Sequence, residues 1–356
     1  MVDSLRGVWV ACKGVDLLIC RRAVASFLCA LVLSTAAGAQ TSYRILDTWK
    51  LSDPGWWDYL TVDSAAHRLY ITRGDHVDIV DTQTGALAGT IAGLKAVHGV
   101  ALDTAGKFGY ITDGGANAIV VFDRASLATV ATIPVGAGAD AIAFEPATQT
   151  VWSFNGRDKS ATVVDAASRT VVATVALPGR PEAAAVDGHG FVYDNIEDKN
   201  ALVRIDAHTH AVTATWPIAR CDSPSGITID AAGQRVFSVC DGKAMGIVDL
   251  RTGKTLATAA IGNGPDAAAF SPSRHLAFAS CGEGVLAIVN AAAAGYPTLQ
   301  MLATQPGART VAYDEATDRA YLVTAQFGPR PAPTAANPRP RPPMIPGTFT
   351  VIVVGR

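Results

Sequence analysis

The stretch that decides the fold runs from Tyr70 to Ile91 and reads YITRGDHVDIVDTQTGALAGTI. Two further versions follow it, YITDGGANAIVVFDRASLATVATI from Tyr110 and VWSFNGRDKSATVVDAASRTVVATV from Val151. Each version alternates apolar with polar residues and is rich in β-branched side chains, which favours β-strands. Asp, Asn, Gly and Thr separate the strand-like runs, as tight turns require. The sequence therefore repeats one antiparallel β unit.

The repeat has a constant period. The residue that ends the first strand of each unit recurs after 40 to 43 residues, at Asp63, Asp103, Glu145, Asp187, Asp230, Ser271 and Asp314. The end of the third strand gives a second series with the same period, Asp81, Asp123, Asp165, Asp206, Asp249 and Asn290. Four short strands in a repeat of this length are typical of a β-propeller blade.

The number of units predicts a closed ring. Six complete units run from about Gly55 to Leu302, and a seventh begins at Gly307 but lacks its fourth strand. The segment Tyr43–Leu51, YRILDTWKL, has the pattern of that strand. Closure of the ring by this strand would remove the exposed edges at which open sheets aggregate. We therefore predict an all-β chain whose residues 40–356 form a single seven-bladed β-propeller, with four antiparallel strands per blade and the last blade closed by the N-terminal strand.

The repeats resemble those of a known family. The runs LYITRG, GYITDG, VDIVDTQTGALAGTI and MGIVDLRTGKTLATAAI are similar to the YVTN repeats of the YncE-like β-propellers, which are exported bacterial proteins. The resemblance implies the fold and export, and little about activity. The Asn of the YVTN tetrapeptide is replaced in several blades, by Arg73, Asp113, Cys240 or Cys281. The loop chemistry is therefore this chain's own.

The first residues have the pattern of an export signal. Arg21 and Arg22 precede the apolar run AVASFLCALVLSTAA, and Ala37-Gly38-Ala39 supplies small residues for cleavage. The alternative is a transmembrane anchor, but the run is shorter than the roughly 20 residues that a span needs. We predict a signal peptide at residues 1–39, a periplasmic or secreted location, and no stable membrane insertion after its removal.

Composition bounds the class of protein and its partners. Hydrophobic residues make up 49% of the chain and charged residues 17%, so a sizeable core is expected rather than disorder. A net charge of -2 argues against nucleic acid as the main partner, because such partners favour a basic face. We predict a monomer that binds a small molecule or a protein partner.

Three of the six cysteines remain after the predicted signal peptide, namely Cys221, Cys240 and Cys281. An oxidising compartment favours one disulfide among them. Cys221 precedes blade five and Cys240 ends the second strand of that blade, so we predict the pair Cys221–Cys240. Cys240 with Cys281, at equivalent positions of adjacent blades, is the alternative.

Seven equivalent positions are predicted to surround the mouth of the central channel. They lie five residues before each first-strand marker, and we call them the mouth ring: Asp58, His98, Asp140, Glu182, Ser225, Asp266 and Arg309. We predict ligand binding by six of them, all but the serine, together with Trp57. A divalent metal, calcium or zinc, is a possible cofactor, with ligands drawn from Asp58, His98, Asp140 and Glu182. The alternative is that these side chains cap the strand starts.

Two further features point to the same face of the propeller. Asn155 and Asn195 end second strands and are candidate ligand groups, although ordinary solvated turns have the same composition. The insertion at residues 328–347 in blade seven carries eight prolines, which favour a stiff, extended segment. We predict that it lies across the mouth ring and brings Arg330, Arg339 and Arg341 towards the carboxylates. The alternatives are a mobile insertion and a docking strip for another protein.

The sequence favours a non-catalytic role and leaves the enzyme question open. It contains no Gly-x-Ser-x-Gly nucleophile elbow and no Cys-x-x-Cys-His haem attachment motif. Our prediction is an exported β-propeller that binds a small ligand, an ion or a partner protein on its top face. The alternative is a propeller-type lyase or lactonase with a divalent metal, in which His98 and Glu182 are the catalytic residues. A third possibility is an inert scaffold for protein interactions.

Overall fold

The computed structural model describes residues 42–51, 55–334, 337–338 and 340–356. The predicted signal peptide at residues 1–39 lies outside the described residues. In the part of the chain that is described, we find no helix with the length and apolar character needed to cross a bilayer.

The described residues form seven sheets of four antiparallel strands, numbered β1 to β28 along the chain. Strand β1 is Arg44–Lys50. Blade one comprises β2 Leu60–Asp63, β3 Arg68–Thr72, β4 Val77–Asp81 and β5 Leu87–Ile91. Blade two comprises β6 Val97–Leu102, β7 Phe108–Asp113, β8 Ala118–Asp123 and β9 Thr129–Pro134. Blade three comprises β10 Ala139–Glu145, β11 Thr150–Asn155, β12 Ser160–Asp165 and β13 Thr170–Ala176.

The remaining blades follow the same plan. Blade four comprises β14 Pro181–Val186, β15 Phe191–Ile196, β16 Ala201–Asp206 and β17 Ala211–Pro217, with a 3-10 turn at Glu197–Lys199. Blade five comprises β18 Asp222–Asp230, β19 Arg235–Asp241, β20 Ala244–Asp249 and β21 Thr255–Ala260. Blade six comprises β22 Pro265–Ser271, β23 Leu276–Cys281, β24 Val285–Asn290 and β25 Thr298–Ala303. Blade seven contains β26 Val311–Asp314, β27 Arg319–Thr324 and β28 Thr350–Gly355.

The N-terminal strand completes blade seven, which confirms the predicted closure. Strand β1 pairs antiparallel with β28, from Arg44 opposite Gly355 to Lys50 opposite Thr350. A carboxylate holds the start of this strand in place, because Asp318 accepts hydrogen bonds from Tyr43 Oη at 2.5 Å and Tyr313 Oη at 2.6 Å. Strands β1 and β28 thus belong to one sheet, and the seven sheets together form a seven-bladed β-propeller.

Candidate functional site

The mouth ring lies at the top of the innermost strands. His98, Asp140, Glu182 and Asp266 are each the second residue of a first strand, in β6, β10, β14 and β22. Asp58 and Arg309 lie just before β2 and β26, and Ser225 lies within β18. The face of the propeller that carries these seven residues is called the top face below.

Side chains of the second strands fix the backbone at the mouth ring. Thr72 Oγ1 donates to the carbonyl oxygen of His98 in the next blade at 3.0 Å, and Thr112 Oγ1 donates in the same way to Asp140. Ser280 Oγ repeats the contact with Arg309 at 2.5 Å. The carbonyl oxygens of His98 and Arg309 also accept backbone hydrogen bonds, from the amides of Tyr59 and Ala267. The cross-blade bonds therefore hold the ring residues on a rigid frame.

Three members of the mouth ring from consecutive blades form a compact group. His98 Nδ1 lies 2.7 Å from Asp58 Oδ2 and 3.5 Å from Asp140 Oδ1. One ligand atom from each residue falls within 4.8 Å of the other two. Burial acts to lower the pKa of His98, but the hydrogen bond to Asp58 and the neighbouring carboxylates raise it above its usual value. The imidazolium form is thus favoured between the two carboxylates.

Arg309 organises the opposite side of the mouth. Its guanidinium forms an ion pair with Asp266, lies 3.7 Å from Asp58 Oδ1, and donates to the carbonyl oxygen of Trp57 at 3.0 Å. Burial raises the pKa of Asp266 to about 6, although Arg309 opposes the shift. The structure therefore connects Asp58 to both halves of the ring.

Glu182 and Asp140 retain protons more readily than ordinary carboxyls. Burial and the Asp140 and Glu197 carboxylates raise the pKa of Glu182 to about 8, against the opposing effect of Arg180. Burial likewise raises the pKa of Asp140 to about 6, opposed by His98. At neutral pH the ring is consequently less negative than its count of carboxyls suggests, because Glu182 carries a proton.

Sequence reasoning missed a buried carboxyl behind these residues. Asp194 in β15 is fully buried, and the backbone amide of Glu182 is the one polar group that favours its ionised form. Burial raises its pKa well above the usual value, and Glu182 and Asp140 add to the shift. The neutral acid is therefore the favoured form of Asp194, since a buried carboxylate is far more costly.

Tyr59 forms the floor of the mouth and was also missed. Its side chain packs against two core clusters, one that contains Ala183 and Ile227 of blades four and five and one that contains Ala267 of blade six. Burial raises its pKa well above the usual value, and four ring carboxyls add to the shift. Tyr59 also lines a cavity of about 160 Å³ between the inner strands.

The sequence did contain a signal for Tyr59. The residue after each mouth-ring position is small in five other blades, namely Gly99, Ala141, Ala183, Gly226 and Ala267. Only small residues fit where the first strands approach one another, since a Cβ at Gly226 would lie 2.5 Å from Ala267 Cα. The large side chain of Tyr59 at this position has room only because it extends across the channel.

The structure assigns the two adjacent tryptophans different environments. Trp57, the predicted ligand residue, is only 5% exposed and packs against Phe349 and Phe327 with ring centroids 5.4 and 6.0 Å apart. Trp56 is 40% exposed, stacks on Phe327 at 5.9 Å, and lies beneath the guanidinium of Arg341 at 5.1 Å. Trp57 is therefore mainly a structural plug, and Trp56 has the accessible indole face.

The predicted ligand groups Asn155 and Asn195 are fully buried. Asn155 Nδ2 donates to Ser160 Oγ at 3.1 Å and to Thr162 Oγ1 at 3.0 Å. Asn195 Nδ2 donates to the carbonyl oxygen of Ser225 in the next blade at 2.8 Å. The position equivalent to Asn155 in blade four is Ile196, which pairs with Pro181 as Asn155 pairs with Ala139. Both amides are structural crosslinks rather than accessible ligand groups.

The proline-rich insertion folds back on itself. The Gly328 amide donates to the carbonyl oxygen of Pro343 at 2.8 Å, and Arg330 Nη1 donates to that of Pro340 at 3.0 Å. Arg341 lies over Trp56, in a pocket of about 370 Å³ that Arg309 and Phe327 also line. Arg330 and Arg341 therefore contact the insertion and the tryptophan rather than the carboxylates, and Arg339 lies outside the described residues.

The structure joins Cys221 and Cys240 in a disulfide. Cys281, the partner in the alternative pairing, is a buried free thiol. Burial raises the pKa of this thiol to about 12, so the reactive thiolate form is disfavoured at neutral pH.

Two solved structures are similar to this chain. Hydrazine synthase of Kuenenia stuttgartiensis superposes with a TM-score of 0.67 and 16% identity, over 77% of this chain and 93% of that chain. A structure of U3-55K superposes with a TM-score of 0.72 and 13% identity, over 87% of this chain and 98% of that chain. At these identities the likeness shows the β-propeller fold alone. No protein-family model and no curated protein matches the sequence, so the YVTN-repeat resemblance stays a prediction.

Proposed function

We propose that this protein is a non-catalytic binder that holds a divalent metal ion on its top face, between Asp58, His98 and Asp140. The observation that supports this function is the approach of one imidazole nitrogen and two carboxylate oxygens to within 4.8 Å of one another. Calcium prefers oxygen ligands alone, whereas an imidazole with two carboxylates suits zinc. Zinc is therefore the favoured ion.

The frame around these three residues supports binding. Each residue comes from a different blade, and hydrogen bonds from Thr72 and Thr112 fix the backbone of His98 and Asp140. A site that is organised before binding loses little conformational entropy when the ion enters. Three protein ligands also leave a fourth position of a tetrahedral ion for a small molecule. A metal-dependent small-molecule binder follows from this arrangement.

The catalytic alternative finds less support at the same site. A lyase or lactonase would need His98 as a neutral base, yet Asp58 and the nearby carboxylates favour its protonated form. A bound metal ion would displace that proton, but the imidazole would then be a metal ligand and could not act as the base. The feature that favours catalysis is Glu182, whose pKa of about 8 suits a general acid. An acid without an available base supports binding over chemistry.

Zinc titration tests the proposed function. Chelator-treated protein is titrated with Zn²⁺ in a calorimeter, and the same protein is melted with and without the ion. We expect one zinc per chain, and a stabilisation of about 2.7 kcal/mol when free zinc is 100 times its Kd. His98→Ala and Asp140→Ala should abolish both effects. His189→Ala is the matched control, because His189 is an exposed histidine in the turn between β14 and β15. Zinc binding that survives in His98→Ala protein would contradict the proposal.

We also infer that the protein is exported and acts as a monomer in the periplasm or outside the cell. The signal-like N-terminal sequence supports export, and a disulfide suits an oxidising compartment. Fractionation of cells that express the full chain, followed by N-terminal sequencing, tests this location. Mature protein that begins at Gln40 in the periplasm or medium is expected. Full-length protein confined to the cytoplasm would contradict it.

A further inference from the structure

Another pocket on the top face lies above blades two to four and shares two residues with the proposed zinc site. It has a volume of about 360 Å³, and its walls include His98, Asp140, Arg157 and Arg180. Ligand pockets for small molecules begin at about this size. The pocket is therefore large enough for a small organic ion, and two arginines line it.

Two arginines bring positive charge to these walls, beside the Asp140 carboxyl. Arg157 is exposed and makes no ion pair or side-chain hydrogen bond within the described ranges. Arg180 is half exposed and lies 2.9 Å from Glu197 Oε2 and 3.4 Å from Glu182 Oε2. Both carboxyl groups face the Arg180 guanidinium, which nevertheless keeps half of its surface exposed. The pocket thus contains the Arg157 guanidinium, which has no ion pair among the described residues, and the paired but half-exposed guanidinium of Arg180.

Glycines give this pocket its depth. A Cβ at Gly138 would lie 2.9 Å from Arg157 Cγ, so the absence of a side chain there lets Arg157 lie against the backbone. Gly138 also has a φ of 72°, which disfavours other residues. At Gly156 the nearest atoms to a new Cβ would be 3.8 Å away and include Arg180 Nε. A side chain at Gly156 would therefore enter the pocket without a clash at its Cβ.

We propose that this pocket binds the oxyanion group of a small molecule, a carboxylate or a phosphate, between Arg157 and Arg180. A guanidinium presents a planar fork of donors that matches both groups, and its hydrogen bonds to anions are among the strongest in proteins. Neither arginine belongs to the proposed zinc site, so the inference goes beyond the proposed function. A small anionic ligand is the class of molecule that the top face would recognise.

Calorimetric titration with succinate and, separately, with inorganic phosphate tests the oxyanion pocket at low ionic strength. We expect binding of at least one of them, and the anion that binds more tightly identifies the group. Arg157→Gln should weaken that binding at least tenfold, which corresponds to about 1.4 kcal/mol. Gly156→Val, which places a side chain in the pocket, should weaken it as well.

The controls separate this inference from the zinc site and from misfolding. Arg220→Gln removes another exposed arginine, in the connection that precedes β18, and should bind the anion as the wild type does. Arg157→Gln should keep its zinc affinity and its melting temperature, because Arg157 has no partner to lose. Failure of the wild type to bind either anion would overturn the inference, as would equal binding by wild-type and Arg157→Gln protein. If the wild type bound an anion but did not bind zinc, only the proposed function would be overturned.

Discussion

Proton release on zinc binding is the sharpest test of the Asp58–His98–Asp140 group. The perturbation is a change of pH from 5 to 8 during zinc titration. The raised pKa of His98 comes from its hydrogen bond to Asp58 and from the charges of Asp140 and Asp58, which outweigh burial. The pKa of Asp140 is about 6, with burial as its main cause. Zinc ligands must be deprotonated, so zinc competes with both protons.

The expected number of protons follows from these shifts. At pH 5 both His98 and Asp140 are mainly protonated, so each zinc should displace about two protons. At pH 8 Asp140 is ionised, so each zinc ion should displace at most one proton, from His98. The slope of the logarithm of affinity against pH equals the number displaced, so zinc affinity should rise at least about a hundredfold between pH 5 and pH 7.

Calorimetry in buffers of different ionisation enthalpy counts the displaced protons directly. The His189→Ala control should release the same number as the wild type, since His189 is remote from the mouth ring and exposed. Zinc binding with no proton release at pH 5, or with affinity independent of pH, would refute the assignment. In that case the ion would be held by groups other than His98 and Asp140.

Three further predictions concern the stability of the frame, each measured by chemical denaturation. Asp318→Asn should lower the free energy of unfolding by about 2–4 kcal/mol, because the hydrogen bonds that the carboxylate accepts from Tyr43 and Tyr313 are weakened. Asp241→Asn is the control and should have no effect, because Asp241 is an exposed carboxylate. Burial acts to raise the pKa of Asp318, but the hydrogen bonds from the two tyrosine hydroxyls and the charge of Arg274 lower it. The ionised carboxylate therefore contributes its full stabilisation of the fold above the unfolded-state pKa. This stabilisation is lost as pH falls through the folded-state pKa, and the variant should therefore lose less stability than the wild type in acid. Removal of the disulfide by Cys221→Ser should cost about 3 kcal/mol, because the bridge spans 19 residues; equal stability of reduced and oxidised wild type would contradict this. Trp57→Ala should cost about 3–5 kcal/mol and Trp56→Ala much less, since only Trp57 is buried; similar losses would show that both are plugs.

The sequence was sufficient for the architecture because the information is periodic. Alternating apolar residues and turns at a spacing of 40 to 43 residues specify a blade without knowledge of long-range contacts. The incomplete seventh unit and the spare strand at Tyr43–Leu51 specified the closure, which the pairing of β1 with β28 confirms. The same periodicity also placed the mouth-ring residues at the tops of the inner strands. These properties depend on local pattern and on counting.

The roles of individual side chains depended on contacts that no local pattern records. Asn155 and Asn195 have the composition of exposed turns, yet the adjoining strands bury both of them. Trp56 and Trp57 are neighbours in the chain, but only the position of Phe349 shows which indole is enclosed.

The sequence by itself determined the blades, their number and the closing strand, because strand periodicity and turn chemistry are local. Only the tertiary structure decided which ring residues meet, how deeply they are buried and which retain a proton. The 2.7 Å contact between His98 and Asp58 joins residues 40 positions apart. The raised pKa of Glu182 depends on burial and on carboxyls from separate segments of the chain. Distance and desolvation in three dimensions set these electrostatic properties, and no single stretch of sequence contains them.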